Sequence, residues 1–290
     1  MTTNALWNVW NDYPTTKIKG TCFTIKGFSI AALRTNFYIP ELKIMFDAGI
    51  SGNIEADYIL ITHCHSDHTA NIPFHTLLNK ETKVQIYAPP TSINNIDTWI
   101  KQMYMMSCNV DSYTDLTGKK TYDINKANEG EYKVNNRNML IEVINCFHSV
   151  PSVGYGLIEV RQKLREDYKA LAGIEIKKLI KEGILVTEPI QLPFFLYLGD
   201  TDHQILDNAN IYKYRTIMIE CTFIVDSDLE QAHATNHMHW TYLKPHIQKN
   251  PDTTFILYHF SLRYKRIEID SFFQKEAYDI SNIIIWNNNA

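Results

Sequence analysis

ADYILITHCHSDH, residues 56–68, decides the fold. Its first half, DYILIT, is an apolar β-branched run that reads as a strand, and it stops where a polar cluster begins. The cluster places three histidines and one aspartate within six residues: His63, His65, Asp67 and His68. Side chains two apart on an extended loop face the same way, so His63 and His65 can share one metal ion. Asp67 and His68 fall past the turn and can reach a second metal nearby. Imidazole and carboxylate suit Zn²⁺, with Mn²⁺ or Fe as alternatives at a mixed nitrogen–oxygen site. A surface loop that merely carries histidines is the competing reading, and this density directly after an apolar strand argues against it.

Four ligands do not complete two metal sites, and the rest of the chain supplies more at comparable places. MLIEVINCF is a strand ending at His148, FFLYLG one ending at Asp200, and TFILY one ending at His259. Side chains at strand ends gather on one edge of a sheet, which is where α/β enzymes collect ligands. The remaining pattern fits that class. FTIKGFSIAAL, TNFYIP, KIMFDAG and KVQIYAPP read as strands punctuated by Gly, Asn and Pro. TSINNIDTWIKQMYMMSC carries a helical apolar stripe at Ile93, Ile96, Ile100, Met103 and Met106, TIMIECTF and NIIIW are further strands, and SFFQKEAYDI is helical. The polar stretch Asp111–Arg137 reads as a loop or hairpin, and the Asn287–Asn289 tail as frayed. No internal repeat or Pro/Gly/Ser-rich linker divides the chain. The expectation is one α/β (α+β) domain over residues 1–290, an αββα sandwich with an inserted helical arm.

That arm is expected at about residues 161–188. Leu164, Tyr168 and Leu171, then Ile176, Leu179 and Ile180, form two helical stripes over 162–183, with Gly183 as a cap. Between Arg161 and Lys181 stand seven basic residues against three acidic ones, a net +4 in a chain whose formal charge is −4. Such an arm can grip a phosphate backbone, or it can be a solvated hairpin that packs on a second subunit. The mild acidity of the whole chain does not advertise nucleic-acid binding, although a local basic surface is compatible with it. Five scattered cysteines without a CxxC pair fit a reducing compartment. The segment MTTNALWNVWNDYPTTK lacks the pattern of a signal peptide, and nothing approaches a membrane span, so a cytoplasmic protein is expected.

HCHSDH, the isolated His148, GDT at 199–201 and His259 resemble the successive motifs of metallo-β-lactamase-fold hydrolases. The resemblance implies one metal held by His63, His65 and His148 and another by Asp67, His68 and His259, with Asp200 bridging them. ECTF (220–223), NHMHW (236–240), HFSLRY (259–264) and HSVPSVGYGLIE (148–159) are similar, more specifically, to motifs of the ribonuclease Z family of tRNA 3′-processing endonucleases. HxHxDH is specific only for the fold, whereas the other motifs point to the nuclease. The resemblance runs from about Gly27 to Tyr264. Two departures stand out: the family's glycine-rich N-terminal opening is absent, and the arm lacks its Gly-Pro-rich motif.

The implied activity is zinc-dependent hydrolysis of a phosphodiester in precursor tRNA, with two zinc ions per subunit and a homodimer as the common assembly. Two metals supply the nucleophile and neutralise the phosphoryl charge. Asp67 can orient the attacking water and take its proton. The leaving 3′-oxygen needs an acid, for which His237 backed by Glu220 is the candidate and His239 the rival. Arg263 and Tyr264 are expected to meet phosphate or sugar, or else to form a structural ion pair. His75, His203, His233 and His246 are read as surface or packing residues, His203 being the one of them best placed to lie near the metals, and Cys221 as a buried small residue. The competing functions are a hydrolase of the same fold acting on a small substrate, such as a phosphodiesterase, and a non-catalytic binding relic. A complete ligand set disfavours the relic, because uncompensated buried carboxylates and histidines destabilise a fold.

Overall fold

The computed structural model describes residues 9–52, 54–78, 83–113, 121–134 and 138–288. Residues 1–8, on which the expectation about a signal peptide partly rests, lie outside that set, as do 114–120, 135–137 and Asn289.

The described strands form two seven-stranded sheets, each in chain order. The first contains β1 (Thr15–Lys17), β2 (Thr24–Ile30), β3 (Arg34–Ile39), β4 (Ile44–Phe46) and β5 (Tyr58–Leu60). After α1 (Ser66–Thr69) and α2 (Ile72–Leu78) come β6 (Val84–Ala88), α3 (Ile93–Cys108) and β7 (Tyr122–Lys126). The second sheet holds β8 (Gly130–Lys133), β9 (Met139–Cys146) and β10 (Ser152–Leu164), then α4 (Gly173–Lys181), β11 (Thr187–Tyr197) and β12 (Thr216–Glu220). It closes with α5 (Leu229–Thr235), α6 (Trp240–Lys249), β13 (Thr254–Tyr258), α7 (Arg266–Glu276) and β14 (Ile283–Ile285). In both sheets the early neighbours pair antiparallel and the later ones parallel, the change falling at β4–β5 and at β11–β12. The two halves therefore share one topology. No sequence repeat reveals it, because pairing is a property of the backbone and tolerates different side chains.

Three apolar clusters give the αββα layering. Between the sheets, Phe37 and Phe46 meet Tyr197 and Tyr258, with ring centroids 4.8 Å apart for Phe46–Tyr197 and 5.4 Å for Phe37–Tyr258. Outside the first sheet, α3 buries Ile96, Ile100 and Tyr104. Its expected stripe drifts off that face, since steps of three residues fall short of a turn, and Met106 ends 64% exposed. Outside the second sheet, Trp240, Leu243 and Ile247 of α6 pack with Ile269 and Phe273 of α7. The polar Asp111–Arg137 stretch is more than a loop. It contributes β7 to the edge of the first sheet and β8 to the edge of the second, and so carries the chain between layers.

The arm is present but only partly helical. β10 and β11 pair from Tyr155↔Tyr197 out to Leu164↔Thr187, while β9 pairs with β10 only as far as Glu159. Beyond that point the arm is a two-stranded ribbon whose tip carries α4. Residues 162–164 are strand because they pair with residues 187–189, and this overrides the helical spacing of Leu164 and Tyr168. The C-terminal asparagines also differ from expectation. Asn287 and Asn288 are buried, and the Asn288 amide bonds both the N–H and the C=O of Ser29, at 3.0 and 2.8 Å. The tail thus closes against β2 instead of fraying.

Candidate metal centre

Strand ends bring the expected ligands together. The turn after β5 carries His63 and His65, α1 presents Asp67 and His68, and His148, Asp200 and His259 follow β9, β11 and β13. One ligand atom from each of His63, His65, His148 and Asp200 lies within 4.8 Å of the others, and the same holds for Asp67, His68 and His259. Asp200 reaches both groups. Its Oδ2 is 3.6 Å from His63 Nε2 and 3.4 Å from His259 Nε2, and its Oδ1 is 3.6 Å from His68 Nε2. Asp67 Oδ2 is 3.5 Å from both His68 Nε2 and His259 Nε2.

The outward nitrogens explain why the inward ones suit cations. His68 Nδ1 bonds the Asp47 carboxylate at 2.8 Å, His148 Nδ1 the Asn236 carbonyl at 2.9 Å, and His63 and His259 Nδ1 the hydroxyls of Thr62 and Thr222, both at 3.0 Å. With protons assigned to those nitrogens, the opposite lone pairs point inward, as in histidines that hold metal. His68 Nε2 and His259 Nε2 then face each other at 3.3 Å, while His148 Nε2 turns its lone pair toward the His65 ring, 3.3 Å from Nδ1. Opposed lone pairs at that range repel unless a cation lies among them. Buried His63 Nε2 and Asp200 Oδ1 have no hydrogen-bond partner, which also fits a metal. Burial, with four neighbouring imidazoles, holds the His63 pKa well below its usual value and favours the neutral ring that ligates metal.

Asp47 is the residue the motif reading missed. It is fully buried and accepts from Thr62 N–H (2.9 Å), Thr62 Oγ1 (2.9 Å), His68 Nδ1 (2.8 Å) and Tyr197 Oη (2.9 Å). It stands just past an apolar strand, KIMF, as Asp200 stands past another, so the same strand-end rule finds it. Asp47→Ala is expected to cost about 3–5 kcal/mol, because four buried donors lose their acceptor. Urea unfolding measures this, and an unchanged midpoint would remove Asp47 from the account. Two residues on, Gly49 has no room for a side chain. A Cβ there would lie 1.8 Å from the Asp67 carbonyl oxygen and 2.7 Å from the Thr35 backbone. Gly49→Ala is therefore expected to push α1 aside and weaken metal retention by about 10–100-fold, as loss of supporting contacts does elsewhere. Competition with a chromogenic chelator reads the effect; equal retention would show that α1 has slack.

Glu220 ends β12, wholly buried, and accepts from His237 Nδ1 (2.8 Å), Thr201 N–H (2.9 Å) and the Thr222 hydroxyl. Burial alone would lower the His237 pKa, but the Glu220 carboxylate outweighs it and the group is pushed up to about 9. The same Nδ1 lies 3.9 Å from Asp200 Oδ2, and Asp200, His237 and His259 form a third overlapping ligand combination. The shorter bond to Glu220 claims that nitrogen. His239 is fully buried, with Nε2 on the Val225 carbonyl (2.9 Å) and Nδ1 accepting from Thr241 N–H (3.1 Å). It caps α6 and has no ring nitrogen to spare, so the geometry favours His237.

Other sequence expectations resolve structurally. Arg263 pairs with Asp228 at 2.6 Å and lies over the Phe223 ring, and the Tyr264 hydroxyl also bonds Asp228, so both act as braces. His203 does not approach the metal ligands; it stacks on Tyr242, 4.4 Å between centroids, beside His233. His75 is buried and bonds the Ile50 carbonyl at 2.7 Å, and Cys221 is buried, both as packing residues.

No family model matches the chain. The curated tRNase Z TRZ1 of Arabidopsis thaliana is 29% identical over 256 residues, which cover 86% of this chain and 89% of the relative. Among solved structures, the metallo-β-lactamase fold protein YhfI from Bacillus subtilis aligns with a TM-score of 0.55 at 13% identity, covering 91% of this chain and 96% of its own. The short form of human tRNase Z aligns with a TM-score of 0.52 at 14% identity, covering 82% of this chain and 92% of its own.

Proposed function

We propose that this chain, a sequence relative of tRNase Z on the metallo-β-lactamase fold, is a metal-dependent endoribonuclease that removes the 3′ trailer of precursor tRNA. The observation that supports this best is the seven-residue cage, buried but for half-buried His65 and His148, with the Glu220–His237 pair against its shared carboxylate. We assign His63, His65 and His148 to one metal, Asp67, His68 and His259 to the other, and Asp200 to both. Zinc suits this donor set, two ions per subunit, with manganese or iron as alternatives. When bound, such ions polarise the scissile phosphate and lower the pKa of water.

The chain's own groups do the rest. Ala32 N–H donates to Asp67 Oδ2 at 3.0 Å, which fixes the carboxylate that orients the attacking water and takes its proton. His237 donates a proton from Nε2 to the leaving 3′-oxygen, while Glu220 holds Nδ1–H and stabilises the ring's charged form. We place the whole chain in one hydrolase domain. Its basic arm, about residues 161–188, takes RNA backbone away from the cleft. Exposed Phe74 and Leu77 on α2 and Trp99 and Met106 on α3 support a homodimer. All five cysteines are free and no described helix is long and apolar enough to cross a membrane, which supports the cytoplasm as location.

The test incubates purified protein with a 3′-extended tRNA precursor, with and without chelator. A discrete cut just after the acceptor stem, lost on chelation and restored by zinc, is the expected result. Hydrolysis confined to small diesters would overturn the assignment.

A further inference from the structure

The two sides of the metal cage differ in charge. Beside the His63–His65 half, a cavity of about 470 Å³ at Cys64 and Ser66 is walled by Ile72, Ile96 and Trp99, with no charged side chain in its lining. Beside the Asp67–His259 half, two exposed segments meet: the β2–β3 turn, AALR (31–34), and the loop into α7, HFSLRYKRI (259–267). Ala31 N–H bonds the Phe260 carbonyl at 3.2 Å, and Ile30, Leu262 and Arg266 line one small cavity between the segments. Both segments touch the cage directly, the first through Ala32 and Asp67, the second through His259.

Together the segments hold four basic residues and no acidic one, in a chain of net −4. Arg263 is taken by Asp228. Arg34, Lys265 and Arg266 are exposed and make no ion pair among the described residues. The Arg34 guanidinium lies 4.8 Å over the Phe28 ring, which steadies it without neutralising it. The nearest carboxylate, Glu268, accepts from the Lys265 N–H at 2.7 Å, one acidic group beside three cations, and the remaining excess of positive charge attracts an anion. Leu33 and Leu262, 51% and 58% exposed, lie among these cations and offer apolar surface for sugar or base faces.

We infer that Arg34, Lys265 and Arg266 form a cationic lip that takes the phosphodiester backbone of the RNA on the Asp67–His259 side of the cage. The strand then crosses the cleft from this lip toward the uncharged wall at Trp99. The inference rests on RNA being the substrate, and it adds where and in which direction the strand lies. It is independent of the arm, which meets RNA at a distance.

The test measures binding of a fluorescent 3′-extended tRNA precursor at graded KCl, using metal-loaded protein with His237→Ala so that bound RNA stays intact. The triple variant Arg34→Ala, Lys265→Ala, Arg266→Ala is expected to bind about 10-fold or more weakly at low salt. Its log–log salt slope should be shallower by about 2–3, as for loss of three phosphate contacts. A charge-matched control, Lys17→Ala, Lys249→Ala, Lys275→Ala, should bind like the parent. The Arg34→Lys, Arg266→Lys variant should keep the parent's slope, which separates charge from folding damage. A triple variant with unchanged affinity and slope would overturn the lip, and so would a parent that does not bind RNA. A parent that binds precursor through the lip, while protein with intact His237 fails to cut it, would sustain the lip and remove the cleavage assignment.

Discussion

Asp200→Ala is expected to reduce turnover by about 10⁴-fold or more and to leave the protein unable to retain two metals, in line with the non-additive losses seen when one member of a catalytic unit is removed. Asp200 is 2% exposed, and its carboxylate approaches histidines of both ligand groups. Without it, His63, His68 and His259 lose the anion that each approaches within 3.4–3.6 Å. Asp67 would remain as the only carboxylate ligand for two divalent ions. Asp200→Asn keeps the shape and removes the charge, so it should retain some metal and little activity. Bound metal by mass spectrometry, set beside kcat on precursor RNA, measures both effects. An Asp200→Ala protein with two metals and near-parental turnover would mean the carboxylate is not shared.

His237→Ala should lower kcat by about 10²–10⁴-fold, the range for loss of a general acid, while both metals stay bound. Glu220→Gln should behave differently. Its carboxylate supports His237, but it also supports Thr201 next to Asp200, and Thr222, which bonds His259. An amide nitrogen cannot accept these hydrogen bonds, so this variant should lose rate and some metal affinity together. The contrast identifies the roles. If His237→Ala loses a metal, the Asp200–His237–His259 grouping is a true coordination set and His237 is a ligand; if it keeps both metals and full rate, the acid lies elsewhere.

Much of the site was legible because its chemistry is local. HCHSDH declares itself within six residues, and His148, Asp200 and His259 each stand at or just beyond the end of an apolar strand. Periodicity places such residues on one sheet edge without knowing which strands are neighbours. Asp47 follows the same rule after KIMF, yet it belongs to no metal motif, and its partners His68 and Tyr197 are distant in sequence. The difference between His237 and His239 also needed coordinates, since both are histidines of one short segment and only hydrogen bonding tells a helix cap from the partner of Glu220. The arm misled for a related reason. Leu164, Tyr168 and Leu171 have helical spacing, but a segment with a strand to pair with takes the ribbon. The buried Asn288 could not be foreseen, because its partner Ser29 is 259 residues away.

All of this depends on seven side chains closing around a pair of ions. Anomalous diffraction at the zinc edge, from crystals grown with zinc, tests that most directly. Two peaks are predicted about 3.5–4 Å apart, the spacing of two-metal hydrolases. One should touch His63, His65 and His148, the other Asp67, His68 and His259, with Asp200 between them. A single peak, or zinc bound away from these residues, would contradict the account.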